Sequence, residues 1–371
     1  MKEKRIAKIK RWQLIRLRCK DATVDLSALD ALTVGRRAFS RKKQLQSVTL
    51  PTELSAIKTE AFLKCRSLTD VTLGKQNTVG ISEKAFFACT ALREVRNSEM
   101  IFSIGKRAFA QCSALETITL GRELKRIGEH AFWGCCALTE LVIPSCAEEI
   151  GEGAFAHCSA LRQATAEEGL TILAPHMFSG CTSLFDVTLP ESLSALPHGI
   201  FRNCSALQEV RIPVGIKRIE KKAFKGCKLL SRVEIELGCE RIVAHAFAGC
   251  PSLTEVTLPR TVKRLGFGAF GLGKRKEKTV LYVENEYMLR RMKRLLLLCG
   301  SWQCTRAVLV GKTVAERKRE RRRTTLEQEP THLIDSTVTF EQKPLVYALT
   351  EQSASEQEPL AKSPSAEENA E

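Results

Sequence analysis

Phenylalanine marks this chain at a nearly constant interval. Phe39, Phe62, Phe86, Phe109, Phe132, Phe155, Phe178, Phe201, Phe224, Phe247 and Phe270 stand 23 residues apart, with one spacing of 24 between Phe62 and Phe86. Nine of them are followed three residues later by cysteine: Cys65, Cys89, Cys112, Cys135, Cys158, Cys181, Cys204, Cys227 and Cys250. Leucine follows six residues after ten of them, from Leu45 to Leu253. Columns that recur together at one period identify a single structural unit copied along the chain.

One copy, residues 108–130, shows the logic of the unit. In its segment LETITL, Ile118 and Leu120 alternate with Thr117 and Thr119, and Leu115 precedes them. Period-two alternation over so short a run, rich in Thr and Ile, predicts a half-buried strand. A Gly or Pro ends it in most copies (Pro51, Gly74, Gly121, Pro144, Pro190, Pro213, Pro259). Leu124 and Ile127 then point back to the core, and AFxxC spaces its apolar side chains as one helical or 3₁₀ turn does. No copy can bury its apolar face alone, so stacked copies must share one core. Its ladder is Phe62, Cys65, Phe109, Cys112, Phe155, Cys158, Phe201, Cys204, Phe247, Cys250 and their equivalents. Strands set about 4.8 Å apart make the predicted sheet on the order of 50 Å long.

The pattern LxxVxLPxxLxxIgxxAFxxC, carried over residues 24–283, resembles the BspA-type leucine-rich repeat. The resemblance implies an α/β repeat fold, a solenoid with a parallel β-sheet on its concave face and short turns or helices on its convex face. Members of that family are commonly surface or secreted adhesion and recognition proteins of bacteria and some protists. It therefore also implies protein–protein recognition or scaffolding, adhesion included, and no enzymatic activity. One copy departs from the pattern: Ala164, Ala166 and Glu167 stand where larger strand residues and Pro are expected, which predicts a local bend or loosening there.

The ends differ from the repeats. Residues 1–23 form the basic N-terminal segment, where Ile6, Ile9, Trp12, Ile15 and Cys19 recur at helical spacing over residues 1–22. Such a helix either caps the first repeat with its apolar stripe or lies on an anionic membrane surface. Residues 279–283 read as a last strand and 284–310 as a capping segment with a closing helix from Asn285 to Leu298. Residues 311–371 read as a basic, then acidic, disordered tail. Its RKRERRR run at 317–323 suits nucleic acid or acidic lipid, or is a solvated linker, a reading favoured by the lack of a matching basic stripe in the body. Residues 1–20, 274–294 and 311–371 together carry +10 of the net charge of +16, so the overall basicity says little about the repeats. No run approaches the roughly 20 apolar residues of a membrane span. The chain as written has no apolar run of signal-peptide length, so the expected location is cytoplasmic, or the cell surface if the true start lies upstream.

The search for chemistry yields little. The cysteines lack the CxxC pairing of zinc sites, Cys135–Cys136 being only a vicinal pair, and a thiol in the same slot of nearly every copy reads as packing. His130, His176 and His245 share a column two residues before the Phe and read as turn residues. RAVLVGKT at 306–313 ends like a phosphate loop, but Arg306 stands where its first Gly is required. No cofactor, metal or catalytic group is expected.

The outward strand columns carry the candidate binding face: Asp70, Thr72, Glu94, Arg96, Thr119, Glu140, Asp186, Thr188, Glu209, Arg211, Glu255 and Thr257. Acids stacked about 5 Å apart repel one another. A protein or peptide with a basic surface relieves that cost, whereas the plainer reading is solubility of an exposed sheet. The alternative function is a membrane-surface or nucleic-acid-associated adaptor held through its basic ends. Nothing in the columns sets an oligomeric state.

Overall fold

A computed structural model describes residues 7–10, 13–17, 21–271, 278–301 and 305–309, with side chains from residue 21 onward. They fall within a compact unit spanning Met1–Thr313. The expected disorder of 311–371 and the RKRERRR run lie outside the described residues.

Most repeats supply two short parallel strands and a tight turn, giving the solenoid two sheets and a third, turn-built side. The longer strands form the major sheet, the one expected on the concave face. It runs in three ladders: Thr23–Asp25 through Glu94–Arg96, Glu140–Ile143 through Asp186–Thr188, and Glu209–Ile212 through Thr305–Leu309. The shorter strands, such as Ala56–Ile57 and Arg126–Ile127, form the minor sheet. Equivalent residues of successive repeats pair directly, as Ser47, Asp70 and Glu94 do.

The Phe column is the core. All eleven rings are buried, each stacked on the next with centroids 4.6 to 6.1 Å apart. Offset stacking of this kind adds about 0.5–1.5 kcal/mol per pair beyond burial. The backbone runs in step with the rings: Phe132 N–H donates to the Ala154 carbonyl of the next repeat at 2.7 Å, and Phe62 N–H to that of Ala85 at 2.7 Å. The turns are not the helical or 3₁₀ turns expected of AFxxC. The residues two before and two after the Phe adopt left-handed backbone, as do Lys64, Gln111, His130 and Lys222. That alternation turns successive amides toward the neighbouring repeat.

The structure corrects the sequence reading at five further places. The described residues of the N-terminal segment are strands and not the expected helix. Ala7–Lys10 and Gln13–Leu17 pair antiparallel, and the second strand pairs with Thr33–Val34. An open sheet edge offers backbone groups that a strand can satisfy and a helix cannot. The segment LETITL at 115–120 joins no ladder, although Ile118 stays buried. About one repeat earlier, left-handed Asn97 leads into a 3₁₀ turn at Ser98–Met100, and the buried Ser98 hydroxyl takes the Thr119 N–H at 3.0 Å. A side chain thus occupies the place of a strand partner.

The third correction concerns the copy with Ala164 and Ala166. Gln163–Ala166 pairs in register on both sides, because backbone pairing tolerates small side chains. The loosening falls elsewhere in the same copy: Thr171–Leu173 pairs with no neighbour in the minor sheet. The Phe155 and Phe178 rings stand 6.1 Å apart and the Phe178 and Phe201 rings 5.7 Å. Met177 and Ile200 there replace the usual alanine before the Phe, and their bulk spreads the rings.

Fourth, the closing helix covers Glu286–Leu298, with Asn285 capping it by accepting from Met288 N–H at 2.9 Å, but a further strand follows it. Thr305–Leu309 extends the major sheet past residue 283, pairing with Thr279–Val283 in parallel. The helix buries Met288, Met292 and Leu296 at the open end. Its end also supplies what a next repeat would: the Cys299 carbonyl accepts the Gly268 N–H at 2.6 Å. The fifth correction, a basic stripe in the body, is described with the site below.

Because each repeat touches only its neighbours, a defect in the Phe stack cannot be repaired from afar. Phe132→Ala is expected to lower stability by about 3–5 kcal/mol, and Phe132→Leu by clearly less. Urea unfolding followed by circular dichroism checks this. A midpoint for Phe132→Ala equal to that of an exposed-site substitution contradicts a ring-stacked core.

Candidate functional site

The twelve candidate residues all lie on or beside the major sheet, but its ladders divide them into separate groups. In the first, Asp70 and Glu94 are direct partners, and Arg96, paired with Thr72, reaches Glu94 at 3.0 Å and Asp70 at 4.0 Å. The guanidinium offsets the one pair of acids that the ladders place side by side. In the second, Gln163 separates Glu140 from Asp186 and donates through Nε2 to the Asp186 carboxylate at 2.9 Å. Thr188 faces Thr165 there. In the third, Arg232 stands between Glu209 and Glu255, while Arg211 forms an ion pair with Glu236 and Thr257 partners Glu234. Thr119 stands outside the ladders, with its amide held by Ser98. Direct stacking of like charges is therefore confined to Asp70 and Glu94, because Gln163 and Arg232 sit between the other acids and the ladder break parts Asp186 from Glu209.

Two apolar side chains on the middle ladder change the character of this face. Val142 is 51% exposed on the outward side of its strand, and Phe185 is 52% exposed immediately before Asp186. Among the described residues of the major-sheet strands and their leading residues, no other large apolar group is so open. Phe185 lies outside the 23-residue register of phenylalanines that defines the repeat. Its signal was that it breaks an otherwise polar column (Thr69, Arg93, Glu116, Thr139, Arg162, Gln208, Ser231, Thr254).

The cysteine ladder has a structural task that spacing alone did not reveal. Each thiol donates to the carbonyl of the Phe one repeat earlier: Cys65 to Phe39 at 2.9 Å, Cys112 to Phe86 at 3.2 Å, Cys158 to Phe132 at 3.3 Å, Cys204 to Phe178 at 3.2 Å and Cys250 to Phe224 at 3.1 Å. Burial pushes the thiols of Cys112 and Cys181 up to about 12, and that of Cys65 to about 11. A thiolate, the nucleophilic and metal-binding form, is thereby suppressed. Among the described residues no cluster of three or more His, Cys, Asp or Glu is arranged to hold a metal ion. His130, His176 and His245 all adopt left-handed backbone, at φ 55, 56 and 58°, which accounts for their shared column. Burial lowers the His176 pKa.

The basic stripe missing from the sequence reading exists on the other sheet. Arg218, Arg241 and Arg264 are direct partners on successive strands of the minor sheet, all exposed. These strands are mostly only two residues long, so one outward residue per repeat gives no alternation to read.

The family model for the BspA type leucine rich repeat region matches residues 32–162 and 148–273. The chain is similar to a leucine rich cell surface protein of Faecalibacterium prausnitzii, with 22% identity over 66% of this chain and 89% of that one, at a TM-score of 0.32. It is similar to the leucine rich repeat protein of T. pallidum, with 28% identity over 53% of this chain and 82% of that one, at a TM-score of 0.38. It is also similar to the pneumococcal vaccine antigen PcpA, with 16% identity over 80% and 91% of the two chains, at a TM-score of 0.42. No relative was found among curated proteins.

In the folded protein the exposed Cys136 is expected to react with iodoacetamide while the nine ladder cysteines do not, and all should react in denaturant. Peptide mapping by mass spectrometry checks the assignment. Labelling of Cys112 or Cys158 in the native protein at the rate of Cys136 contradicts their role as buried donors.

Proposed function

The chain belongs to the BspA-type leucine-rich-repeat family, and from that premise we propose that it is a binding module, with no catalytic task, whose major-sheet face recognises a protein or peptide with a basic surface. The observation that carries this reading is the middle ladder, where Val142 and Phe185 stand open beside Glu140 and Asp186. Binding hot spots combine a desolvated apolar anchor with a polar rim. Carboxylates at that rim favour a cationic partner and disfavour an acidic one. Simple solubility accounts for the polar columns but not for an exposed phenylalanine among them.

The face is also organised for recognition along its length. Outward Thr side chains supply short hydrogen-bonding groups between the charges, and the strands beneath hold them at fixed spacing. An adhesion role at the cell surface and a cytoplasmic scaffold both fit this face. The core thiols serve either setting, since burial closes them to oxidants.

Selection of a displayed random-peptide library on the immobilised full chain tests the reading. The enriched peptides are expected to be basic and to carry apolar residues. Val142→Ser with Phe185→Ser should weaken them by about tenfold or more, as loss of an interface anchor does. Replacing Asp70, Glu94, Glu140, Asp186, Glu209 and Glu255 by Ser should remove the preference for basic peptides. Enrichment of acidic peptides, or binding unchanged in both variants, overturns the proposal.

A further inference from the structure

Along the minor sheet, the outward residue of each strand changes character. The early strands carry Ala56, Gly80 and Ser103 at the equivalent position, all uncharged and Gly80 buried. Next, Arg126 and Glu149 are direct partners and form an ion pair at 2.8 Å, flanked by Lys125 and Glu148 at 2.9 Å. Beyond Ala195, the final three strands present Arg218, Arg241 and Arg264 in register. Strands lie about 4.8 Å apart, so these guanidinium groups fall well within one Debye length, about 8 Å in physiological salt. Like charges directly opposite one another destabilise a sheet.

The surroundings leave most of that charge uncompensated. Arg218 meets Glu220 at 2.7 Å, and the one acid of the adjoining column, Glu240, is engaged by Lys263 at 3.0 Å. Arg241 and Arg264 meet no carboxylate among the described residues. The closing helix lengthens the track: Arg291 donates to the Lys263 carbonyl at 3.3 Å, which sets a fourth arginine at its end. The same fold neutralises the equivalent positions at Arg126 and Glu149, so nothing in the strand geometry requires the repulsion.

We propose that Arg218, Arg241, Arg264 and Arg291 form a docking track for a linear acidic polysaccharide carrying sulfate or carboxylate groups. The guanidinium fork binds such oxyanions through two parallel hydrogen bonds, which a lysine cannot do. The track's three strand arginines are spaced one per strand step of about 4.8 Å, comparable to the length of one sugar unit in an extended chain. A stiff polysaccharide also loses less conformational freedom on docking than a flexible acidic peptide. Single-stranded nucleic acid favours aromatic platforms interleaved with the cations. Here the exposed aromatics gather at one end instead: Phe267, edge-on to His245 at 5.7 Å, and Tyr287, one helical turn before Arg291. This surface lies on a different sheet from the proposed protein-binding face, so the two readings stand or fall separately.

The test uses the full chain and a heparin-derived decasaccharide, with binding followed by titration calorimetry at several salt concentrations. Arg218→Ser, Arg241→Ser and Arg264→Ser together should weaken binding at least tenfold near 0.15 M salt, and should lower the magnitude of the salt slope by about 2 to 3. A control removing the same charge elsewhere, Arg36→Ser with Lys43→Ser and Lys58→Ser, should change affinity less than twofold. The ladder variant should melt no lower than the parent, since it relieves repulsion, so lost binding cannot be assigned to unfolding. The proposal is overturned if the parent fails to bind the decasaccharide, or if both triple variants lose affinity equally. Tighter binding of an oligothymidylate or a polyglutamate of matched charge overturns it in favour of nucleic acid or an acidic protein.

Discussion

The contact on which the rest of this structure depends is the one each phenylalanine makes with the repeat after it. Its ring lies on the next ring, and its N–H donates to the carbonyl just before the next Phe. Its carbonyl takes the thiol of the next repeat's cysteine and, in most copies, the N–H of its own. One residue is thus tied forward by an apolar and two polar contacts within a single slot. The sequence columns follow from that geometry. The residue before the Phe is alanine because a larger side chain spreads the rings, as Met177 and Ile200 do. Cysteine stands three after it because it is small, apolar and able to donate one hydrogen bond to an otherwise under-satisfied carbonyl.

With the turn side committed to stacking, recognition falls to the two sheets, whose surfaces are built differently. Major-sheet strands present two outward residues per repeat, enough to mix acid, threonine, arginine and an occasional apolar group. Minor-sheet strands mostly present one, so a run of identical residues becomes a continuous line of charge. Arg126 with Glu149 and Arg218 with Arg241 show the two outcomes on one backbone, an ion pair in one place and a repulsive line in another. Surface columns can vary in this way because the core takes no part in choosing them.

The repeat, its period and its buried Phe–Cys column were legible in the sequence because identical slots demand identical side chains. What failed to show was whatever depends on hydrogen bonds between repeats. LETITL has ideal strand alternation, yet a serine hydroxyl 21 residues earlier in the chain takes the Thr119 amide. The N-terminal stripe of Ile6, Ile9, Trp12 and Ile15 has helical spacing, yet the unpaired edge beside Thr33–Val34 draws a strand. Thr305–Leu309 has too little alternation to be read, and it forms because Thr279–Val283 leaves an edge open. At the candidate face, the acids were visible as a column that also holds Gln163 and Arg232, but the contacts of Gln163 with Asp186 and of Arg96 with Glu94 and Asp70 required the register. Phe185 was masked by its own residue type.

The central claim is that the turn-side contacts between repeats hold the solenoid together at least as firmly as the strands do. Hydrogen exchange of the native protein, resolved to single amides, tests it most directly. The account predicts that the amides of Phe62, Phe109, Phe132 and Phe224 exchange as slowly as those of Val71, Val210 and Val233 in the major sheet. Fast exchange at the phenylalanine amides, with the strand amides still protected, would show that the sheets alone hold the repeats and would contradict it.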